Sequence, residues 1–209
     1  MNRVAEYYKN IGPMEDFGEY MEGDSNSKVF TITDDIAYDS EELMYELKKI
    51  INPYADEWGR DQIHISNVPG HEDNTKYSYG SLFVDHTKST IDNLHFYDKP
   101  IKEESFSSIS TIFKGTIFET IHSELSAKHN IGRFRVMTAR AGGCLTWHHD
   151  TQQRLHYPIE TQKGCFMVVG NEMRHLKQGK CYMVDTTIHH TAVNASRKHR
   201  IHLVANVLS

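Results

Sequence analysis

The sequence has little of what staples a small secreted domain. Its three cysteines, Cys144, Cys165 and Cys181, are an odd number with no C-x-x-C pair. That argues against a disulfide framework and against a thiolate zinc site, and it implies reduced thiols in a cytoplasmic setting. No apolar run approaches the length of a membrane span, and the opening "MNRVAEYYKNIG" lacks a signal-peptide core, so a membrane is not an expected partner. Basic residues are also in deficit, with 23 Lys and Arg against 28 Asp and Glu, a formal charge of −5. Neutralising phosphates requires a basic face, so nucleic acid is not an expected partner either. No internal repeat or low-complexity tract is present. A chain of 209 residues, 38% of them hydrophobic, is long enough to bury one core.

Residues 1–27 are polar and acidic, broken by Gly12, Pro13, Gly18 and Gly23. We read residues 28–209 as a single domain, with a helical support region over about 35–130 and a β-core over about 131–209. "KVFTITD" (28–34) reads as a strand. "DSEELMYELKKIIN" reads as a helix, with Asp39 and Glu42 as a capping box and Pro53 as its stop. Leu43, Met44, Leu47, Ile50 and Ile51 form its apolar face. "DQIHIS" is a further strand, and "NVPGHEDNTKYSYG" (67–80) is a polar loop long enough to be a lid. From Phe106 to Leu125 apolar residues recur every three to four positions, which predicts one or two helices interrupted near Gly115 and ended around Asn130 and Gly132. After Gly132 come "RFRVMTA", "QRLHYPIE", "CFMVVG", "KCYMVDT", "HTAVNA" and "RIHLVANVL", short β-type runs spaced as in a sandwich or barrel.

What the chain has in quantity is histidine, 14 residues. Two doublets fall in the β-half, in "LTWHHDTQQRLHYPIET" and "TTIHHTAVN". Side chains alternate between the faces of a strand, so residues two apart converge on one ion while neighbours diverge. That pairs His148 with Asp150 rather than His149 with Asp150. A further imidazole from a distant strand would complete a two-histidine, one-carboxylate set with open positions, which suits non-haem Fe(II). Local alternation leaves His189 and His190 both open as the third ligand. Arg154 and His156 share one strand face, and so do Arg200 and His202. Between them Leu155, Tyr157, Ile159, Ile201, Leu203 and Ala205 take the opposite, apolar face. Arginine's planar fork suits a carboxylate held away from water. Trp147 and Tyr157 are candidates for the pocket wall, and His149, His175 and His199 are read as ordinary surface or core histidines.

From about Arg133 to Val207 the chain resembles the aspartyl/asparaginyl β-hydroxylase-like branch of the Fe(II)/2-oxoglutarate-dependent dioxygenases. The resemblance is carried by "AGGCLTWHHD", by R-x-H before proline and threonine in "RLHYPIET", by "GKCYMVD", by H-x-x-x-N in "HTAVN" and by "RIHLV". It implies a double-stranded β-helix (jelly-roll, cupin-like) core with amino-terminal helices packed on it. It also implies Fe(II) on His148, Asp150 and His190, His190 being chosen because it opens H-x-x-x-N ten residues before Arg200. Arg200 and the Arg154/His156 pair are assigned by the same resemblance to 2-oxoglutarate, with His202 pointing the same way as Arg200. Where some relatives have glycine, this chain has Asp150.

The implied reaction consumes 2-oxoglutarate and O2, releases succinate and CO2, and hydroxylates an unactivated C–H, on an amino-acid or peptidyl (Asp/Asn-like) side chain. A small molecule or peptide is the expected partner. Two alternatives compete: a cupin-type metal-binding protein without 2-oxoglutarate chemistry, which would not need an arginine ten residues after the last ligand, and a nucleic-acid-modifying dioxygenase.

Overall fold

The computed structural model describes residues 27–54, 62–74, 82–85, 88–90 and 92–209. The amino-terminal polar segment up to residue 26, and the part of the expected lid from residue 75, lie outside them. Twelve strands are found among the described residues: β1 (Phe30–Thr33), β2 (Gln62–His64), β3 (Ser66–Asn67), β4 (Ser108–Ile109), β5 (Ile131–Ala139), β6 (Gly143–Cys144), β7 (Gln153–Glu160), β8 (Cys165–Val169), β9 (Glu172–Arg174), β10 (Cys181–Val184), β11 (His190–Asn194) and β12 (Arg200–Val207). Two α-helices accompany them, α1 (Ser40–Ile50) and α2 (Ile117–Lys128).

From β5 onward the antiparallel pairings are nested: β5 with β12, β6 with β11, β7 with β10, β8 with β9. This is one long hairpin, rolled so that β7 also pairs with β12 and β8 with β11. The roll yields two sheets, in the orders β1-β10-β7-β12-β5-β2 and β6-β11-β8-β9. It is therefore the expected double-stranded β-helix, or jelly roll. The support region also contributes strands, because β1 and β2 cover the two edges that the large sheet would otherwise leave unpaired.

The helices form where the sequence predicts, with one difference. In α1 the Asp39 carboxylate accepts from the backbone N–H groups of Glu41 and Glu42, which satisfies two otherwise orphaned donors. Leu43, Leu47 and Ile51 are buried, with Met44 and Ile50 packed beside them. The apolar periodicity from Phe106, however, becomes helical only late: β4 and a 3-10 turn at Thr111–Phe113 precede Gly115, whose φ of 71° breaks the chain before α2. Phe118, Ile121 and Leu125 are the buried face of α2, and Thr116 caps it.

Both faces of the large sheet are covered, and they differ in chemistry. The outer face, with Leu155, Tyr157 and Ile159 of β7, Ile201, Leu203 and Ala205 of β12, and Phe134 and Val136 of β5, packs on α1 and α2. Fully burying each larger side chain contributes roughly 1.5–3 kcal/mol. Tyr157 belongs to this layer, its hydroxyl donating to the Tyr38 carbonyl, so it does not wall the pocket. The inner face, by the same alternation, presents Arg154 and His156, then Arg200, His202 and Asn206, then Arg133 and Arg135. A smaller apolar cluster of Phe30, Met167, Val169, Leu176, Tyr182, Val184 and Ala192 fills part of the space between the sheets.

Candidate metal and co-substrate site

His148 and His190 form an antiparallel bridge: the His148 N–H donates to the His190 carbonyl at 3.1 Å, and the His190 N–H returns the bond at 2.7 Å. Residues directly opposite in an antiparallel pair point to the same face. Once His148 turns inward, His190 must follow, and His149 and His189 must turn out. They do: His189 stacks on Trp147 with ring centroids 6.4 Å apart and meets His149 edge-on at 5.0 Å. Trp147 is 53% exposed, so it belongs to this outer cluster.

The two inward rings lie 4.4 Å apart at their centroids. The His148 Nδ1 faces the Thr146 carbonyl at 2.6 Å, and the His190 Nδ1 faces the Ile188 carbonyl at 2.9 Å. A proton held at each Nδ1 leaves each Nε2 lone pair for a ligand. Those Nε2 atoms stand 3.9 Å and 3.4 Å from the two oxygens of Asp150, and the three residues are the only His/Cys/Asp/Glu group of metal-binding geometry among the described residues. An ion bonded at about 2.0–2.2 Å needs only small closing movements to touch all three. Asp150 Oδ2 is buried and accepts no hydrogen bond, an orphaned acceptor of the kind a cation satisfies. The residues present therefore fit a divalent metal.

Arg154 does something the sequence did not reveal. Its Nη2 donates to Asp150 Oδ1 at 2.6 Å, so the guanidinium steadies the triad's carboxylate. Burial pushes the Asp150 carboxyl up, but contact with His190 and the charge of Arg154 outweigh it and bring the group down to about 2. The carboxylate is thus ionised across the physiological range.

His156 and His202 lie deeper, with ring centroids 5.8 Å apart and nearly perpendicular. Both are buried, and none of their four ring nitrogens has a hydrogen-bond partner. Burial drives both well below the usual imidazole range, and neighbouring arginines add to it, so both rings are neutral. The charges acting on His156 come from Arg154, His190 and Asp150 and also from Arg200, which places it between the triad and Arg200. Arg200 is 5% exposed, and among the described residues it has no hydrogen-bond or ion-pair partner. Burial lowers it to about 10, still cationic near neutrality. A buried guanidinium without an anion is costly, and this one lies close enough to His156 and His202 for its charge to act on both.

The structure thus brings together all of His148, Asp150, Arg154, His156, His190, Arg200 and His202. Arg133, Arg135, Asn206 and Glu103 also line the interior and were missed by the sequence reading. The first two had a signal, since "RFRVM" alternates charged and apolar residues as "RLHY" and "RIHL" do. Glu103 had none, because it comes from a 3-10 turn (Glu103–Ser105) far away in sequence. That turn packs on β5 because Gly132 has no side chain; a Cβ there would sit 2.7 Å from the Glu103 carbonyl oxygen.

Among solved structures, the chain is similar to AerE from Microcystis aeruginosa (16% identity, TM-score 0.33) over 37% of this chain and 36% of that one. It is also similar to a cupin domain from Bordetella pertussis (16%, TM-score 0.33; 37% and 81%). A third is a nickel complex of a non-heme monooxygenase, ThoJ (13%, TM-score 0.33; 43% and 49%). No curated protein matches the chain. Residues 113–209 match the family model for aspartyl/asparaginyl beta-hydroxylase.

Proposed function

We propose, from the match of residues 113–209 to the family model for aspartyl/asparaginyl beta-hydroxylase and from the geometry of the site, that this chain is a member of that family and an Fe(II)/2-oxoglutarate-dependent dioxygenase. It hydroxylates an unactivated C–H of an amino-acid or peptidyl, Asp/Asn-like, side chain. Bound Fe(II) would supply O2 activation and C–H oxidation, coupled to conversion of 2-oxoglutarate to succinate and CO2.

The protein's part is to hold and orient. His148, Asp150 and His190 would take the iron, their geometry kept by the backbone carbonyls of Thr146 and Ile188 and by Arg154. A metal held by only three protein groups would be able to bind the co-substrate and O2 as well. Arg200 receives the far carboxylate of 2-oxoglutarate, and His156 and His202, neutral and without partners, offer hydrogen bonds along its length. Burial strengthens each of these contacts and keeps water from the reacting centre.

The observation that carries the reading is Arg200, a buried cation without an anion, set beyond His156 from a cluster that fits a metal. A cupin-type metal protein without 2-oxoglutarate chemistry has no use for such a residue. The test is succinate release with Fe(II), ascorbate, O2 and 2-oxoglutarate, with and without pools of amino acids and peptides. Turnover stimulated by a pool member and lost in His148→Ala supports the proposal. An iron-loaded protein that neither makes succinate nor binds 2-oxoglutarate under anaerobic conditions refutes it.

A further inference from the structure

Arg200 is held by nothing of its own. It is buried, its Nε donates to no acceptor, and among the described residues no hydrogen bond or ion pair fixes its guanidinium. Arginine also has many rotamers to lose. Where the guanidinium points therefore depends on where the backbone enters β12. That entry is clamped by a side chain with no part in the triad, Asn194.

Asn194 is fully buried. Its Nδ2 carries two hydrogens and places one on each of two carbonyls, those of Ala139 and Lys198, both at 2.8 Å. Ala139 is the last residue of β5 and the register partner of Arg200, and Lys198 lies two residues before Arg200. One amide thus ties the end of β5 to the turn that leads into β12. Its Oδ1 accepts from the Ser196 N–H at 3.1 Å and from the Cys165 thiol at 3.1 Å. A backbone N–H can only donate, so the Ser196 bond settles which end of the amide is oxygen. Gln162 extends the clamp, its Nε2 donating at 2.6 Å to the carbonyl of His199, the residue before Arg200. A buried polar network with its donors matched is rigid.

The placement of Asn194 links this clamp to the metal. On β11 the residues His190, Ala192 and Asn194 are the buried ones, as alternation requires. A single strand therefore carries a ligand of the triad at one end and the clamp of Arg200 at the other. They are four residues apart, roughly 13 Å at about 3.3 Å per residue. His190 does not depend on Asn194 for its own place, because β11 pairs with β8 along its length and His190 bridges to His148. Resting on the reading of Arg200 as the seat for the far carboxylate of 2-oxoglutarate, we propose that Asn194, supported by Gln162, is a positioning residue. It sets the place of Arg200, and so the affinity for a dicarboxylate, without itself touching the co-substrate.

The experiment compares 2-oxoglutarate with pyruvate, which has the same keto-acid end but no far carboxylate. Both are titrated calorimetrically into full-length protein loaded with Fe(II) under anaerobic conditions. The wild type should bind 2-oxoglutarate much more tightly than pyruvate, and that gap reads Arg200. Asn194→Asp keeps the shape and the acceptor but loses both donors. It should weaken 2-oxoglutarate about 10- to 100-fold, as expected for a partner that acts through another residue, with pyruvate and Fe(II) affinities at their wild-type values.

Asn194→Asp carries the risk of misfolding, so the second variant is Gln162→Met, which frees only the His199 carbonyl. It should narrow the gap in the same direction by a smaller factor. Leu47→Ala, destabilising but placed in the core beneath α1, should leave the gap intact. A gap of wild-type size in the folded variants would overturn the proposal. So would an equal loss for 2-oxoglutarate, pyruvate and Fe(II), the pattern of a merely structural residue. An iron-loaded wild type with no gap at all would remove Arg200 from co-substrate binding and take this proposal with it.

Discussion

Replacing Arg200 with methionine should stabilise the free protein and cripple its co-substrate binding, two effects of opposite sign. Burial brings the guanidinium from 12.5 to about 10, and at about 1.4 kcal/mol per pH unit that is a penalty of about 3 kcal/mol on the folded state. The group is a base with a depressed folded value. Its cost is therefore fully present below about pH 10 and fades only as the pH rises from there towards 12.5. Methionine keeps most of the volume and removes the charge, so the melting temperature of Arg200→Met without ligand should rise by about 5 °C. On the proposed function the same change also removes a bidentate, charge-assisted contact to 2-oxoglutarate, worth about 3–5 kcal/mol when buried, or roughly a hundred- to several-thousandfold in Kd. Thermal melts with and without 2-oxoglutarate, on protein loaded with Fe(II) under anaerobic conditions, read both quantities. A lower melting temperature with the 2-oxoglutarate response intact would refute the argument and make Arg200 a structural residue.

Other expectations follow from the same geometry. His190→Ala should abolish iron binding and succinate formation while His189→Ala keeps most of both; the reverse would mean that the bridge between His148 and His190 is wrong. Arg154→Met should lower Fe(II) affinity about 10- to 100-fold in a metal-competition titration, as expected for a residue that steadies a ligand, whereas loss of 2-oxoglutarate binding alone would assign Arg154 to the co-substrate. Glu103→Gln leaves Arg133 buried without its anion and should cost about 3–5 kcal/mol in denaturant unfolding. Burial raises the Glu103 carboxyl, but Arg133 outweighs it and the net value is lowered. The wild type's advantage should then be complete above the usual carboxylate range and vanish as pH falls through the lower folded value; an advantage independent of pH would contradict the ion pair. Leu47→Ala, in the core between α1 and the sheet, should cost about 2–5 kcal/mol without changing metal affinity.

Much of the core was legible because a strand has a period of two. "QRLHYPIE" is β7 residue for residue, and its alternation already separated Arg154 and His156 from Leu155 and Ile159. Tyr157 follows the same rule and belongs with the apolar face; treating it as a pocket wall ignored its own register. The strands that went unread, β6 and β9, have two and three residues, too few for a period to show. The stretch from Phe106 was misread in part because helical spacing also fits a 3-10 turn and a short strand whose apolar side chains reach the same core.

By itself the sequence determined the class of fold, the H-x-D pair and the two alternating runs that line the interior, because each depends on residues close together along the chain. Which histidine of the second doublet turns inward was decided by tertiary structure. The hydrogen bonds between His148 and His190 set the register, and a one-residue slip would have reversed every side chain of β11. The same holds for the partners of the buried arginines. Asp150 for Arg154, Glu103 for Arg133, and only amides for Arg135 are choices made by strands and turns that meet in space, since the pairing of a buried charge depends on what lies within a few ångströms of it.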